Sequence, residues 1–229
     1  MKRCFATILT LVALIAVGCS STVTPTPTPT PLSSATPTAT PAPTTSGTPK
    51  ATPTPTPKHW SSAPAMMIDT NKSYTAIIET EKGNMTFELF AKDMPITVNN
   101  FVFLARQGFY DNCTFHRVLP NFVAQGGDPT GTGMGGPGYH IPFELSWHTH
   151  TAGAISMASE AAASDTAGSQ FFIVFNDNWH SSLDGGYSVF GQLTSGWSVL
   201  QSLTLRDPDS NPPPTYKGDT IYRITIIES

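Results

Sequence analysis

Three cysteines in 229 residues (Cys4, Cys19 and Cys113) are too few for a disulfide framework. Without cross-links, the folded part has to be held by a hydrophobic core. Charge is also scarce, at 12% of residues. From Met66 onward eight lysines and arginines face sixteen aspartates and glutamates, a net −8 against −4 for the whole chain. That is the wrong sign for gripping nucleic-acid phosphates. The histidines form no His-Glu-x-x-His pair and join no Cys-x-x-Cys set, so no metal centre is expected. Trp147-His148-Thr149-His150 reads as an exposed loop. No phosphate-cradling glycine motif stands at a strand-to-helix junction, and no cofactor is expected.

No apolar run reaches the ~20 residues that span a bilayer. The longest, Phe5 to Val17, follows Lys2 and Arg3 and precedes small residues around Cys19, which is the layout of an export signal. Ala16-Val17-Gly18-Cys19 resembles a bacterial lipobox, with Ala16 where Leu is usual. The resemblance implies a signal peptide over 1–18, cleavage before Cys19 and lipidation of its thiol. Ordinary signal cleavage leaving a free Cys19 thiol is the alternative. A disordered linker is expected over 19–65, with its Thr-Pro repeats between 22 and 57. Proline fixes φ and supplies no donor, so such a tract favours solvated polyproline II and has almost nothing to bury. At ~3.1 Å per residue it could hold a domain up to roughly 100 Å from an anchor. The folded domain is expected over 66–229.

Within that domain the pattern is rich in strands. Tyr74 to Thr80 and Asn84 to Leu89 alternate about Glu81-Lys82-Gly83, a hairpin with Gly83 at its turn. Pro95 opens a helix over Ile96 to Arg106, because proline suits a first helical turn and Val98, Phe101, Val102 and Ala105 share one face. Gly108 ends it. Further strands are expected at 155–158, 171–175, 188–193 and 221–228, with a short helix near 197–200. Many short strands with few helices suggest an antiparallel barrel, although pattern alone leaves a sandwich open.

The most informative stretch is Phe115-His116-Arg117-Val118-Leu119-Pro120-Asn121-Phe122-Val123-Ala124-Gln125-Gly126-Gly127-Asp128. If 115–118 and 122–125 are neighbouring strands, side-chain alternation brings Arg117, Phe122 or Val123, and Gln125 to one patch. That patch is an apolar pocket with a cationic rim, and His116 points to the opposite face. The run resembles the signature of the cyclophilins, which are peptidyl-prolyl cis-trans isomerases. Likeness continues through the glycine-rich 131–138 and Ile141-Pro142-Phe143-Glu144, then Gly153 to Ala158, Gly168 to Ile173, and Leu183 to Gly191. Agreement in order over nearly all of 70–229 is far more specific than one motif.

The resemblance implies a mainly-β fold: a closed eight-stranded antiparallel barrel capped by two helices. It implies acceleration of X-Pro rotation in exported proteins, with proline-containing polypeptides as partners and a monomeric chain. Arg117, Phe122 and Gln125 would be catalytic. Val123, Phe172 and Leu183 would line the proline pocket with Tyr187 on its rim, Gln170 would hold substrate backbone, and Ala158 with Ser159 would border the groove. Ser182 stands where many eukaryotic members carry a tryptophan that contacts cyclosporin, so weak inhibition by that drug is implied. The rival reading is a lipid-tethered proline-binding or chaperone module with vestigial catalysis.

Overall fold

The computed structural model describes residues 58–210 and 213–229. The expected signal peptide, Cys19 and the Thr-Pro tract lie outside the described residues. Strands β1 (Tyr74–Thr80) and β2 (Gly83–Leu89) form the expected hairpin, with Thr80 paired to Gly83. Gly83 takes a φ of 126°, open to glycine alone, and the Thr80 hydroxyl accepts from the Lys82 N–H at 3.1 Å. Along β1 every second residue is buried, so Tyr74, Ala76 and Ile78 face inward.

Helix α1 (Pro95–Arg106) carries proline in its first turn, and Val98, Phe101 and Val102 are wholly buried. Its free N-terminal N–H groups find a partner remote in sequence. The Glu144 carboxylate accepts from Ile96 N at 3.0 Å and Thr97 N at 2.8 Å. A carboxylate there also opposes the positive end of the helix dipole.

The remaining strands are β3 (Arg117–Val118), β4 (Val123–Gly126), β5 (Ala154–Met157), β6 (Phe171–Val174), β7 (Val189–Ser195) and β8 (Ile221–Glu228). A single 3₁₀ turn, Asp177–Trp179, leads into a one-turn helix α2 (His180–Leu183), and α3 spans Trp197–Ser202. All strands join one antiparallel sheet in the order β3-β4-β6-β5-β7-β2-β1-β8.

The sheet curls into a barrel, and here it departs from the closed ring expected. No ladder joins β3 to β8. The segment before β3 meets the start of β8 through one isolated bridge, Thr114 to Thr220, and three backbone bonds: Asn112 N donates to Ile221 O and Phe115 N to Asp219 O, each at 2.9 Å, and Ile221 N donates to Cys113 O at 2.8 Å. With two residues, β3 is too short to carry a ladder on its outer edge. A second difference is the α2 turn, a third helical element where two were expected.

Side chains divide by face. Inside the barrel Phe101, Tyr110, Phe171 and Phe190 meet ring to ring at 5.0–5.7 Å, within the main core. Outward-facing residues of β4, β5, β6 and β7 form a separate apolar cluster. The domain's contacts also begin earlier than Met66: Trp60 N donates to Pro137 O at 2.9 Å.

Candidate active site

The β3–β4 hairpin turns at Pro120-Asn121, where Asn121 has φ 57°, a conformation asparagine tolerates better than most residues. Its register pairs Arg117 with Gln125 and Val118 with Ala124. Directly paired residues project to the same face, so Val118 and Ala124 are buried inside while Arg117 and Gln125 stand outside. The same row continues across the sheet: Gln125 is opposite Phe172 on β6, and Phe172 is opposite Ser156 on β5. Arg117, Gln125, Phe172 and Ser156 thus form one line over four strands.

Around that line sits the separate apolar cluster. Val123, Phe172 and Leu183 are buried with Ala154, Val174 and Val189, and Phe90, Phe122, Ala158, Trp179 and Tyr187 pack at its edge. The structure therefore brings the expected pocket residues together. Arg117 lies at the border, its guanidinium carbon 5.7 Å from the centre of the Phe122 ring. Among the described residues that guanidinium has no hydrogen-bond or ion-pair partner. A charged array of donors thus stands unspent beside an apolar surface.

The two glutamines differ. Gln170 donates both amide N–H groups, to Gly133 O and Gly135 O, each at 2.9 Å, and its Oε1 accepts from Gln125 Nε2 at 3.0 Å. It ties the glycine-rich loop to the sheet and orients Gln125, whose own Oε1 has no hydrogen-bond partner among the described residues. From this pair opens a cavity of ≈ 610 Å³, lined also by Ala158 and Ser159. Its glycine loop is held from below by Asp128, whose carboxylate accepts from Thr130 N (2.7 Å), Thr132 N (2.9 Å) and Gly133 N (2.6 Å). Burial pushes the Asp128 carboxyl up, but these donors prevail and hold it below the usual range.

His116 is 2% exposed beneath Gly133, away from the half-buried Arg117. His150, expected in an exposed loop, is instead fully buried under the pocket. Its Nδ1 lies 2.6 Å from Asp184 Oδ1 and its Nε2 3.1 Å from Ser156 Oγ, and its ring stacks on Phe172 at 5.7 Å. Burial drives its pKa below the ordinary value although Asp184 pulls the other way. A neutral ring that donates from Nδ1 and accepts the Ser156 hydroxyl proton at Nε2 satisfies both neighbours.

Trp179 was also missed from sequence. Its ring meets Phe122 at 4.3 Å and its Nε1–H donates to Asn121 O at 2.6 Å, which braces the outer wall of the pocket. The local signal was Asn176, whose side chain caps the turn by accepting from Asn178 N at 3.0 Å.

The family model described as cyclophilin type peptidyl-prolyl cis-trans isomerase/CLD matches residues 75–226. A peptidyl-prolyl cis-trans isomerase of Synechococcus elongatus is 50% identical over 152 residues, 66% of this chain and 95% of that protein. Peptidyl-prolyl cis-trans isomerase B of Bacillus subtilis is 52% identical over 130 residues, 56% of this chain and 88% of that protein. The crystal structure of a Cryptosporidium parvum cyclophilin type isomerase superposes with a TM-score of 0.62 at 35% identity, covering 69% of this chain and 99% of its own. The same protein, solved in the presence of the dipeptide Ala-Pro, gives 0.60 at 35% identity over 68% and 99%. Matched by that family model over residues 75–226 and about half identical to bacterial isomerases, this chain belongs to the cyclophilin-type peptidyl-prolyl cis-trans isomerases.

Proposed function

We propose that this isomerase speeds X-Pro rotation in exported polypeptides, assisting their folding from a tether at lipidated Cys19. The observation that carries the catalytic part is Arg117: a guanidinium with no hydrogen-bond or ion-pair partner among the described residues, opposite Gln125, at the lip of an apolar cluster. An X-Pro bond resists rotation because amide resonance imposes a barrier of ~18–20 kcal/mol. In the twisted state resonance is lost and the prolyl nitrogen regains a lone pair able to accept a hydrogen bond. A donor placed there favours the twisted state over either planar one, and each ~1.4 kcal/mol of such preference is tenfold in rate. Arg117 supplies that donor from a fixed position, so little reorganisation is needed when the lone pair forms. Val123, Phe172 and Leu183 hold the proline ring, while Phe122 keeps water off the guanidinium and Gln125 Oε1 accepts from substrate backbone. Fixing both sides of the bond confines the motion to the amide itself.

The tether rests on the apolar run, the small residues around Cys19 and the Thr-Pro tract that follows. A cis-to-trans assay on an Ala-Pro test peptide, with and without the chain, tests the chemistry; binding without acceleration would leave a tethered binding module. Cell fractionation of Cys19→Ala tests the anchor, which predicts release of the variant from membranes.

A further inference from the structure

One wall of the cavity beside Gln125 and Gln170 comes from outside the family-matched stretch. The segment 58–65 lies against the domain and is secured at both ends. Near its start the Trp60 indole packs against Phe103 at 5.2 Å and Phe109 at 6.0 Å, while the Trp60 backbone N–H donates to Pro137 O at 2.9 Å. Towards its end Asn99, on α1, donates from Nδ2 to Ala65 O at 3.0 Å and accepts from Met67 N at 2.8 Å. Next to the Trp60 anchor, the His59 ring lies on Gly138 so closely that a β-carbon there would fall 2.3 Å from His59 Cε1. Gly138 also has φ 92°, so the loop both needs glycine and leaves room for the imidazole. His59 thereby lines the same cavity as Gln125 and Gln170.

We propose that His59 is a specificity-determining residue of this isomerase. It forms the far wall of a subsite that takes the stretch of substrate polypeptide flanking the X-Pro pair on the Gln170 side. This rests on the isomerase reading above. Three observations carry it. Gln125 lines the cavity and its Oε1 has no hydrogen-bond partner among the described residues, and the ≈ 610 Å³ lies within the ~300–1,000 Å³ typical of ligand sites. That volume exceeds what one proline ring needs, so an additional residue or two of an extended chain can enter. The wall is braced by the Trp60 ring contacts and backbone bond rather than hanging free, so His59 is presented at a defined position. A substrate consisting only of the X-Pro pair would not reach it.

The test compares two peptides on the full chain: a short Ala-Pro test peptide, and the same core extended by three residues on both sides. In the unaltered protein kcat/KM should be higher for the extended peptide. In His59→Ala that advantage should shrink about three- to tenfold, through KM, with the short peptide unchanged. Hydrogen exchange at the Trp60 amide reports whether the segment is still seated, and Trp60→Ala, which removes its anchor, should reproduce the loss. An unchanged ratio between peptides in both variants overturns the proposal, as does an equal loss for both peptides. If the unaltered protein accelerates neither peptide, the isomerase reading fails separately, and titration calorimetry with the same peptides still reads the subsite by whether His59→Ala removes the preference for the longer one.

Discussion

Replacing Arg117 by alanine should separate catalysis from stability more cleanly than any other change in this domain. Its guanidinium makes no hydrogen bond or ion pair among the described residues, so truncation strands no buried partner. What is lost from the fold is one cation–π contact at 5.7 Å to Phe122, about 0.5–1 kcal/mol at a half-exposed site. For a domain of this size that corresponds to a melting shift of roughly 1–4 °C. The loss to the twisted state is larger, because one preorganised donor in a water-poor site contributes about 2.7–4 kcal/mol. The expected result is kcat/KM for an Ala-Pro peptide reduced about 100- to 1,000-fold, with peptide affinity within about threefold of the parent. Arg117→Lys should fall between, since lysine keeps the charge but loses the planar array of donors. A coupled cis-to-trans assay gives the rate, calorimetric titration the affinity and thermal unfolding the stability. Activity within threefold of the parent would refute the role assigned to Arg117. So would a melting shift of ten degrees or more, which would make it a structural residue.

Stability should be flat between pH ~6.5 and ~8 and decline as pH falls below that range. Burial lowers both His150 and His116 in the folded protein, so below the unfolded value the unfolded chain binds more protons and is favoured; urea midpoints measured from pH 8 to 4 check this, and His150→Gln should flatten the slope. Gly127→Ala should cost at least about 2 kcal/mol, because φ is 86° and a β-carbon would lie 2.5 Å from Ser169 O; an unchanged urea midpoint would contradict it. Cys113 should resist thiol reagents until the domain is unfolded, since it is 2% exposed and burial pushes its thiol up to about 12; peptide mass mapping of labelled protein decides. Cyclosporin should inhibit weakly, because exposed Ser182 offers no indole and the nearby Trp179 has its N–H committed to Asn121 O; a nanomolar inhibition constant would rule this out.

Much of this was legible in the chain because it depends on local periodicity. The alternation through 74–89 is that of a half-buried hairpin, and Pro95 with the apolar face of 96–106 announced α1 within one residue. The spacing of Arg117 and Gln125 about a Pro-Asn turn is enough to put them side by side, since strand geometry allows few other arrangements.

Other properties depend on which distant segments the topology makes neighbours. The sequence shows two similar glutamines; only the approach of Gly133 and Gly135 to Gln170 commits one to the loop and leaves the other free. His150 sits in a stretch that looks exposed, and its burial follows from Asp184, 34 residues away, and from a Phe172 ring that no local pattern could place above it. Glu144 caps a helix 48 residues earlier, and Trp179 meets Phe122 only because β4 and β6 are paired. The seam between β3 and β8 is equally tertiary: no ladder joins the two-residue β3 to β8, and residues 112–115 span the gap with backbone bonds to Asp219 and Ile221, about a hundred residues away. Periodicity determines which face a side chain takes, whereas its partner is decided by the path of the whole chain, through contacts that no local window contains.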